Sequence, residues 1–330
     1  MKFEKKVISN IVLMSVVIIV VMMPVVPTLA AEWKPQKTIH LIVPDAPGTP
    51  YDGEARIISN ELAKLFGMPV VVDNIAGGGM LRGTTAAYRA KPDGYTIAFF
   101  SSMALIINQL FQDATYDLTK FVFLGQCTNT ALIPTPITTT VGKGLDTWED
   151  VLKLNRPFRW GTVGKGTVSY VSQKAISHAF KFKDPVFITT YSGPEVLPAV
   201  VRGECDGAGL PWDVAEPFIK TGQVKVVLSL GKTRIKDFPD VPSVGDLGHP
   251  ELEKFITNYH IAVGPPGLPK NIETALSNAV YKVVTSDVMK EYQTRAVSKG
   301  AVYEAVAGDA TRKNVMACLD LIKSLTPFLK

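Results

Sequence analysis

Asp52, Ser101, Ser102, Thr167 and Ser169 are the residues of this chain whose types and positions suit chemistry, and that chemistry is the holding of an anion. Each stands at or near the start of a run patterned as a helix, directly after a loop. A helix start presents unbonded N–H groups and the positive end of the helix dipole. Short hydroxyl side chains there cap those N–H groups or donate to a bound carboxylate or phosphate. Asp52 has two readings, as part of a ligand loop or as the cap of a tight strand-to-helix turn.

Other chemistries find no residue set. Gly164-Lys165-Gly166-Thr167 has a glycine between Lys and Thr, whereas a P-loop needs its Lys directly before Ser or Thr. Gly77-Gly78-Gly79 lacks the spacing of a dinucleotide fingerprint. His40, His178, His249 and His260 form no H-x-x-x-H pair and have no Cys or carboxylate at zinc-ligand spacing, so no metal site is expected. There is no G-x-S-x-G elbow and no nucleophile with a base and an orienting group. No catalytic residue, no cofactor and no enzymatic activity are expected.

The elements that must position these residues alternate. Ile39-His40-Leu41-Ile42-Val43 reads as a buried strand, followed by the Pro- and Gly-rich loop at 44–52 and an amphipathic helix over 53–66. A second strand is predicted at 69–72, then the loop at 73–79 and a helix at 81–90. A third strand at 96–100 runs into a helix beginning at Ser101-Ser102. This order predicts a parallel sheet with right-handed crossovers, whose ligands bind beyond the carboxyl ends of the strands. A second αβ unit follows the strand at 121–127. It has strands at 158–160, 186–190 and 224–230, and helices at 168–180 and 195–202. The segment at 259–263 reads as a return strand, with helices behind it at 270–286, 287–299 and 308–325. Two αβ lobes with a late return to the first describe a hinged clamp with a cleft between lobes. Asp206 reads as structural. Trp212 reads equally as a cleft residue or a buried core residue.

The first thirty residues bear on the compartment. Lys2, Lys5 and Lys6 precede an apolar stretch at 7–26, and Thr28-Leu29-Ala30 ends it in small residues. That is the pattern of a secretory signal cleaved near Ala30, with a retained anchor as the alternative because the stretch is long. The 330-residue chain has a formal net charge of +5, of which the leader's three Lys and one Glu supply +2. The remainder is too small for a nucleic-acid partner. Cys127, Cys205 and Cys318 are odd in number and lie in apolar segments, so buried thiols are expected, one bridged pair being the alternative.

These segments resemble the solute-binding receptors of tripartite tricarboxylate transporters, the Bug family. The marks are Leu41-Ile42-Val43-Pro44-Asp45-Ala46-Pro47-Gly48 with Asp52, and Gly67-Met68-Pro69-Val70-Val71-Val72-Asp73-Asn74. After them come the glycine loop from Gly77 to Gly83, Pro92-Asp93-Gly94-Tyr95-Thr96, and Ser101-Ser102 with Asn108. Further on stand Gly166-Thr167-x-Ser169, Tyr191-x-Gly193, Gly203-x-x-Asp206, Phe238-Pro239-Asp240-Val241-Pro242-Ser243 and Gly264-Pro265-Pro266-Gly267-Leu268-Pro269. Their order and spacing run from about Trp33 to the C-terminus.

The resemblance implies an α/β, type II periplasmic-binding-protein fold with a hinge. Lobe one is expected at 31–130 plus 262–330 and lobe two at 131–261. It implies a periplasmic, monomeric receptor for a small carboxylate (dicarboxylate, tricarboxylate or aromatic acid), delivered to membrane permease subunits. The positions matching the family's ligand contacts are Ala46, Gly48, Asp52, Ser101 and Ser102, then Thr162, Gly166, Thr167, Ser169, Tyr191 and Gly193. Thr49, Tyr51 and Tyr170 depart from the family's usual residues and join the candidate set. The two tyrosines suggest an aromatic or otherwise non-standard acid. The alternatives are a receptor that presents its ligand to a sensor, and an exported αβ enzyme.

Overall fold

The computed structural model describes residues 33–129, 135–164, 167–189, 193–296 and 302–329. The expected leader with its cleavage site lies outside these residues, as do Gly166 and Tyr191. Among the described residues no helix is long and apolar enough to cross a membrane.

Strand β1 (Ile39–Val43) leads through the loop at 44–49 into helix α1 (Pro50–Phe66). Strand β2 (Val70–Asn74) leads through the glycine loop into α2 (Leu81–Tyr88), and β3 (Thr96–Ser101) runs straight into α3 (Ser102–Phe111). Helix α1 starts three residues before the expected position because Pro50 suits a first helical residue, whose N–H has no partner to lose. Gly67 ends it in the left-handed conformation, φ 64°. Ala55, Ile58 and Leu62, three and four apart, bury against Ile39, Leu41 and Val43 of β1. Each of the larger side chains stabilises that packing by about 1.5–3 kcal/mol. Phe99 and Phe100 of β3 enter the cores on opposite faces of the sheet, as a two-residue period requires.

The remaining strands are β4 (Val122–Asn129), β5 (Pro136–Thr140), β6 (Arg159–Gly161), β7 (Val186–Ile188), β8 (Gly207–Gly209), β9 (Val224–Ser229), β10 (Tyr259–Gly264) and β11 (Val302–Ala307). The remaining α-helices are α4 (Trp148–Leu152), α5 (Val168–Ala179), α6 (Gly193–Val201), α7 (Trp212–Lys220), α8 (Lys270–Val284), α9 (Asp287–Ala296) and α10 (Gly308–Leu329). One sheet has the order β11-β4-β10-β3-β1-β2 and the other β7-β6-β8-β5-β9. Both are mixed rather than parallel throughout. The βαβ crossovers make β1 parallel to β2 and β3, and β6 parallel to β7 and β8. Strand β10 enters beside the carboxyl end of β3, so it runs antiparallel to β3 and β4. Strands β5 and β11 are antiparallel to their neighbours for the same reason of entry direction. The expected lobe boundary at 261/262 falls inside β10, whose Tyr259, His260 and Ile261 already pair with β4.

Strands β5, β8 and β11 and helices α4 and α7 have no counterpart among the sequence expectations. In β8 the pattern is Gly-Ala-Gly because there is no room for side chains. A Cβ on Gly207 would lie 2.4 Å from the Thr138 carbonyl oxygen, and one on Gly209 would lie 2.7 Å from Ile137 Cδ1. Trp212 resolves to the core reading, packed with Val226 and Ile235. All three cysteines are buried thiols, none of them in a disulfide. Helices α3 and α10 pack on α5, so apolar contact is continuous between the layers of the two sheets.

Candidate functional site

The carboxyl ends of β1 and β3 carry the loop at 44–49 and the start of α3; the carboxyl end of β6 carries the segment leading to α5. In the first loop Asp52 is an anchor rather than a cap. It is 3% exposed, and its carboxylate accepts from the Gly48 N–H at 2.9 Å, Arg56 Nε at 2.9 Å and Asn74 Nδ2 at 3.0 Å. Burial alone would raise the Asp52 pKa; the Arg56, Gly48 and Asn74 bonds outweigh it and hold the carboxyl below its usual range. Asn74 Nδ2 also donates to the Asp45 carbonyl, 3.1 Å. The Ala46 N–H is taken by the Asp45 carboxylate at 2.8 Å, and Thr49 Oγ1 donates to the Ala46 carbonyl at 3.1 Å. Thr49 is the N-cap residue of α1, yet its side chain makes no capping bond. The first-turn N–H groups of Tyr51 and Asp52 have no partner within the helix and receive no side-chain cap from Thr49.

Gly83 lets α2 lie against this loop. A Cβ there would stand 2.7 Å from both the Ile75 carbonyl oxygen and Pro44 Cα. Asn108 of α3 holds the glycine loop from the other side, its Nδ2 donating to the Gly79 carbonyl at 2.9 Å.

Tyr51, Ser101 and Ser102 meet, but around Asn258 rather than around open space. Ser101 Oγ donates to Asn258 Oδ1 at 2.7 Å, and the Met103 N–H reaches the same oxygen at 3.2 Å. Ser101 Oγ also accepts the Ala104 N–H, 3.0 Å, which makes it the N-cap of α3. Ser102 Oγ lies 3.5 Å from Asn258 Oδ1 and accepts the Tyr259 N–H at 2.9 Å. The other end of the amide, Asn258 Nδ2, donates to the Tyr51 hydroxyl at 2.9 Å. Burial pushes the Tyr51 phenol up to about 12, against the lowering effect of its Ser101 and Asn258 bonds. Its ring lies 4.4 Å, centroid to centroid, from that of His260. Tyr51 thus joins two elements, and it lends no support to a preference for an aromatic acid.

In the second unit Thr162, Thr167 and Ser169 converge. Ser169 Oγ is 3.1 Å from both Thr162 Oγ1 and Thr167 Oγ1. Thr167 Oγ1 donates its one proton to the Gly164 carbonyl at 2.8 Å, and accepts the Tyr170 N–H at 3.3 Å as the N-cap of α5. The other protons then have one consistent order, Ser169 to Thr167 and Thr162 to Ser169, because each hydroxyl has a single hydrogen. In this arrangement all three hydrogens are used internally. An arriving anion gains a hydroxyl donor only when Ser169 or Thr162 rotates out of the relay. Tyr170 is half-buried on α5 and packs on Phe187 at 5.3 Å between centroids; burial raises its pKa. Gly193 is the first residue of α6.

Asn258 and Asn74 are the residues that sequence reading missed. Asn74 stood in a quoted loop but without a role. Asn258 had only its place directly before the return strand as a signal. Asp206 is structural, as expected. Its carboxylate takes a bidentate grip from Arg156, at 2.6 and 2.9 Å, and bonds from Arg159. A cavity of about 560 Å³ beside this cluster is lined by Lys143, Arg156 and Arg159 among others. It lies at the amino ends of β6 and β7, away from the loops above. Among the described residues no group of His, Cys, Asp and Glu could hold a metal ion.

Residues 54–315 match the family model described as "Tripartite tricarboxylate transporter family receptor". Protein BugT of Bordetella pertussis is 28% identical over 298 residues, 86% of each chain. An Agrobacterium vitis UPF0065 protein, in the TAR-I ttuE–ttuC' intergenic region, is 26% identical over 267 residues, 79% of this chain and 75% of that one. Among solved structures, MatC from Rhodopseudomonas palustris with bound malate superposes with a TM-score of 0.67 at 23% identity, covering 90% of this chain and 100% of that one. R. palustris Rpa4515 with adipate has a TM-score of 0.70 at 18% identity, covering 89% and 98%. At these identities the superpositions speak for the fold.

Proposed function

We propose, from the premise that this chain belongs to the tripartite tricarboxylate transporter receptor family, that it is an exported receptor which closes on a small carboxylate and delivers it to a membrane permease. The family is one of receptors rather than catalysts. The observation that carries the reading is the pair of helix starts at strand carboxyl ends, the uncapped start of α1 and the hydroxyl relay at the start of α5. Both hold an anion by neutral donors and helix dipoles, which suits a ligand that must also leave. Ala46, Gly48 and Thr49 shape the first of these sites, and Thr162, Thr167, Ser169 and Gly193 the second. Ser101, Ser102 and Tyr51 support the first from behind, through Asn258. Malate and adipate, the acids in two related structures, place dicarboxylates first for testing, ahead of tricarboxylates and aromatic acids. Closure of the two lobes is the mechanism of capture.

Thermal unfolding of residues 31–330 with dicarboxylates, tricarboxylates, aromatic acids and their neutral amides tests this reading. A ligand at a hundredfold its dissociation constant adds about 2.7 kcal/mol, or several degrees. A rise with an acid and none with its amide is expected. No rise with any acid, and no acid released from the denatured protein, sinks the proposal.

A further inference from the structure

The amino ends of β6 and β7, the end of β5 and the turn after α6 surround the cavity of about 560 Å³ noted above. Among the described residues that line it, Asp206 is the one acid, against Lys143, Arg156 and Arg159. Its carboxylate, 4% exposed, accepts five bonds: from Nη1 and Nη2 of Arg156, and from the backbone N–H, Nε and Nη2 of Arg159. A carboxylate offers about four lone-pair positions, so Asp206 is saturated and has none left for a third cation. Among the described residues Lys143 Nζ donates to nothing. Nor does Nη1 of Arg159, whose Nη2 is shared between Asp206 and the Gly203 carbonyl. The Lys143 stem lies against the same Gly203, where a Cβ would stand 3.7 Å from Lys143 Cε. Lys143 and Arg159 therefore flank one backbone position. Pro157 and Val186 supply apolar lining, and Val186, on the edge strand β7, is 44% exposed.

We propose that this cavity is a second ligand site, separate from the helix starts at strand carboxyl ends, and that it takes a small organic oxyanion, a carboxylate or phosphate ester carried on an apolar body. Holding Asp206 accounts for both guanidiniums but leaves Lys143 without a structural task. Three cations against one carboxylate leave two positive charges uncompensated in a recess. Donors left over from an internal ion pair, guanidinium and ammonium together, are the groups that grip an oxyanion. The recess also has the size of a small-molecule pocket, roughly 300–1,000 Å³, and a bare inorganic anion would leave most of it to water. Val186 and Pro157 offer an organic body the apolar contact that its charged end does not use. None of these residues belongs to the loop at 44–49 or to the relay at the start of α5, so the inference goes beyond the receptor reading and stands without it.

Titration of isotope-labelled residues 31–330 with phenyl phosphate tests this, read by NMR at the backbone amides of 140–143, 159, 186 and 203. Saturable shifts are expected at those amides. Inorganic phosphate should bind there about fivefold more weakly, and neutral phenol should shift none of them. Lys143→Gln, which breaks no bond of the free protein, should weaken phenyl phosphate binding by about fivefold with the melting temperature unchanged. Val186→Asp, which sets a carboxylate at an exposed position of the lining, should abolish it. No saturable shift at these amides in wild type overturns the proposal, and so does equal affinity in Lys143→Gln. Inorganic phosphate binding as tightly as phenyl phosphate overturns the assignment of an organic body. Because the amides are read one by one, none of these outcomes depends on whether a carboxylate binds at the helix starts.

Discussion

Asp52 and Asn74, 22 positions apart, are joined by a 3.0 Å hydrogen bond that ties the end of β2 to the first turn of α1. The same Asn74 nitrogen reaches the Asp45 carbonyl, so one amide group holds both ends of the loop at 44–49. Replacing Asp52 by Ala strands the Gly48 N–H, Arg56 and Asn74 together. The expected cost is about 2–3 kcal/mol of stability with a fall in carboxylate affinity, and Asp52→Asn should keep part of both. Denaturant unfolding and ligand titration on the two variants check this; equal stability of Asp52→Ala and wild type would refute it.

Ser169→Ala and Thr167→Ala separate binding from capping. Thr167 caps α5 through the Tyr170 N–H, so its loss should cost about 1 kcal/mol of stability. Ser169 caps nothing, but its Oγ is the acceptor of the buried Thr162 hydroxyl, so Ser169→Ala should also cost about 1 kcal/mol of stability. Unlike Thr167→Ala, it should weaken carboxylate binding by about tenfold, the value of a hydrogen bond to a charged group. Calorimetric titration of both variants reads the difference.

Asp206 sets an acid limb of stability. Burial raises its pKa, but Arg156 and Arg159 outweigh burial and bring it down to about 2 from 3.8. A depressed folded-state value means the stabilisation is complete above the ordinary carboxylate pKa and is lost as pH falls toward 2. The contribution is on the order of 1–2 kcal/mol after allowing for the half-exposed guanidiniums. Asp206→Asn should therefore be less stable than wild type at pH 7, with the gap narrowing below pH about 3. Urea unfolding across that range measures it.

Gly83→Ala should destabilise by about 1–3 kcal/mol, since its Cβ meets the Ile75 carbonyl and Pro44 Cα at 2.7 Å and neither backbone can retreat freely. Gly142→Ala, at φ 75° with nothing within 4 Å, isolates conformational strain, worth about 1 kcal/mol. Only the first should also disturb the loop at 44–49, visible as weakened carboxylate binding.

The buried thiols predict slow chemistry. Burial pushes the Cys127 thiol well up, with Glu54 adding to it, and burial raises Cys318 as well. A thiol-reactive disulfide reagent should label none of Cys127, Cys205 and Cys318 quickly in the native protein and all three in denaturant. Rapid native labelling of any of them would contradict the burial.

The alternation of strand and helix, the punctuation by Gly and Pro, and the hydroxyls at helix starts are local properties, and they were legible residue by residue. So β1, β3, β10 and the helices from 270 onward stand within a few residues of their predicted places. Strand β8 was hidden because its glycines answer to Thr138 and Ile137 across the sheet, partners that no local window contains. Strand direction was hidden too, since β10 runs antiparallel only because it arrives from the other sheet.

The candidate site divides along the same line. That Ser101, Ser102, Thr167 and Ser169 stand at helix starts is determined by the sequence alone. Which of them remain for a ligand is decided by where each single hydroxyl hydrogen goes, and that depends on distant groups. Ser101 gives its hydrogen to Asn258, 157 positions away, while Thr162, Ser169 and Thr167 bond to one another close by in the chain. Hydrogen bonding is short-ranged and saturable, so only the tertiary structure, by bringing Asn258 to the start of α3, could show that the Ser101 hydroxyl is spent on a joint between elements.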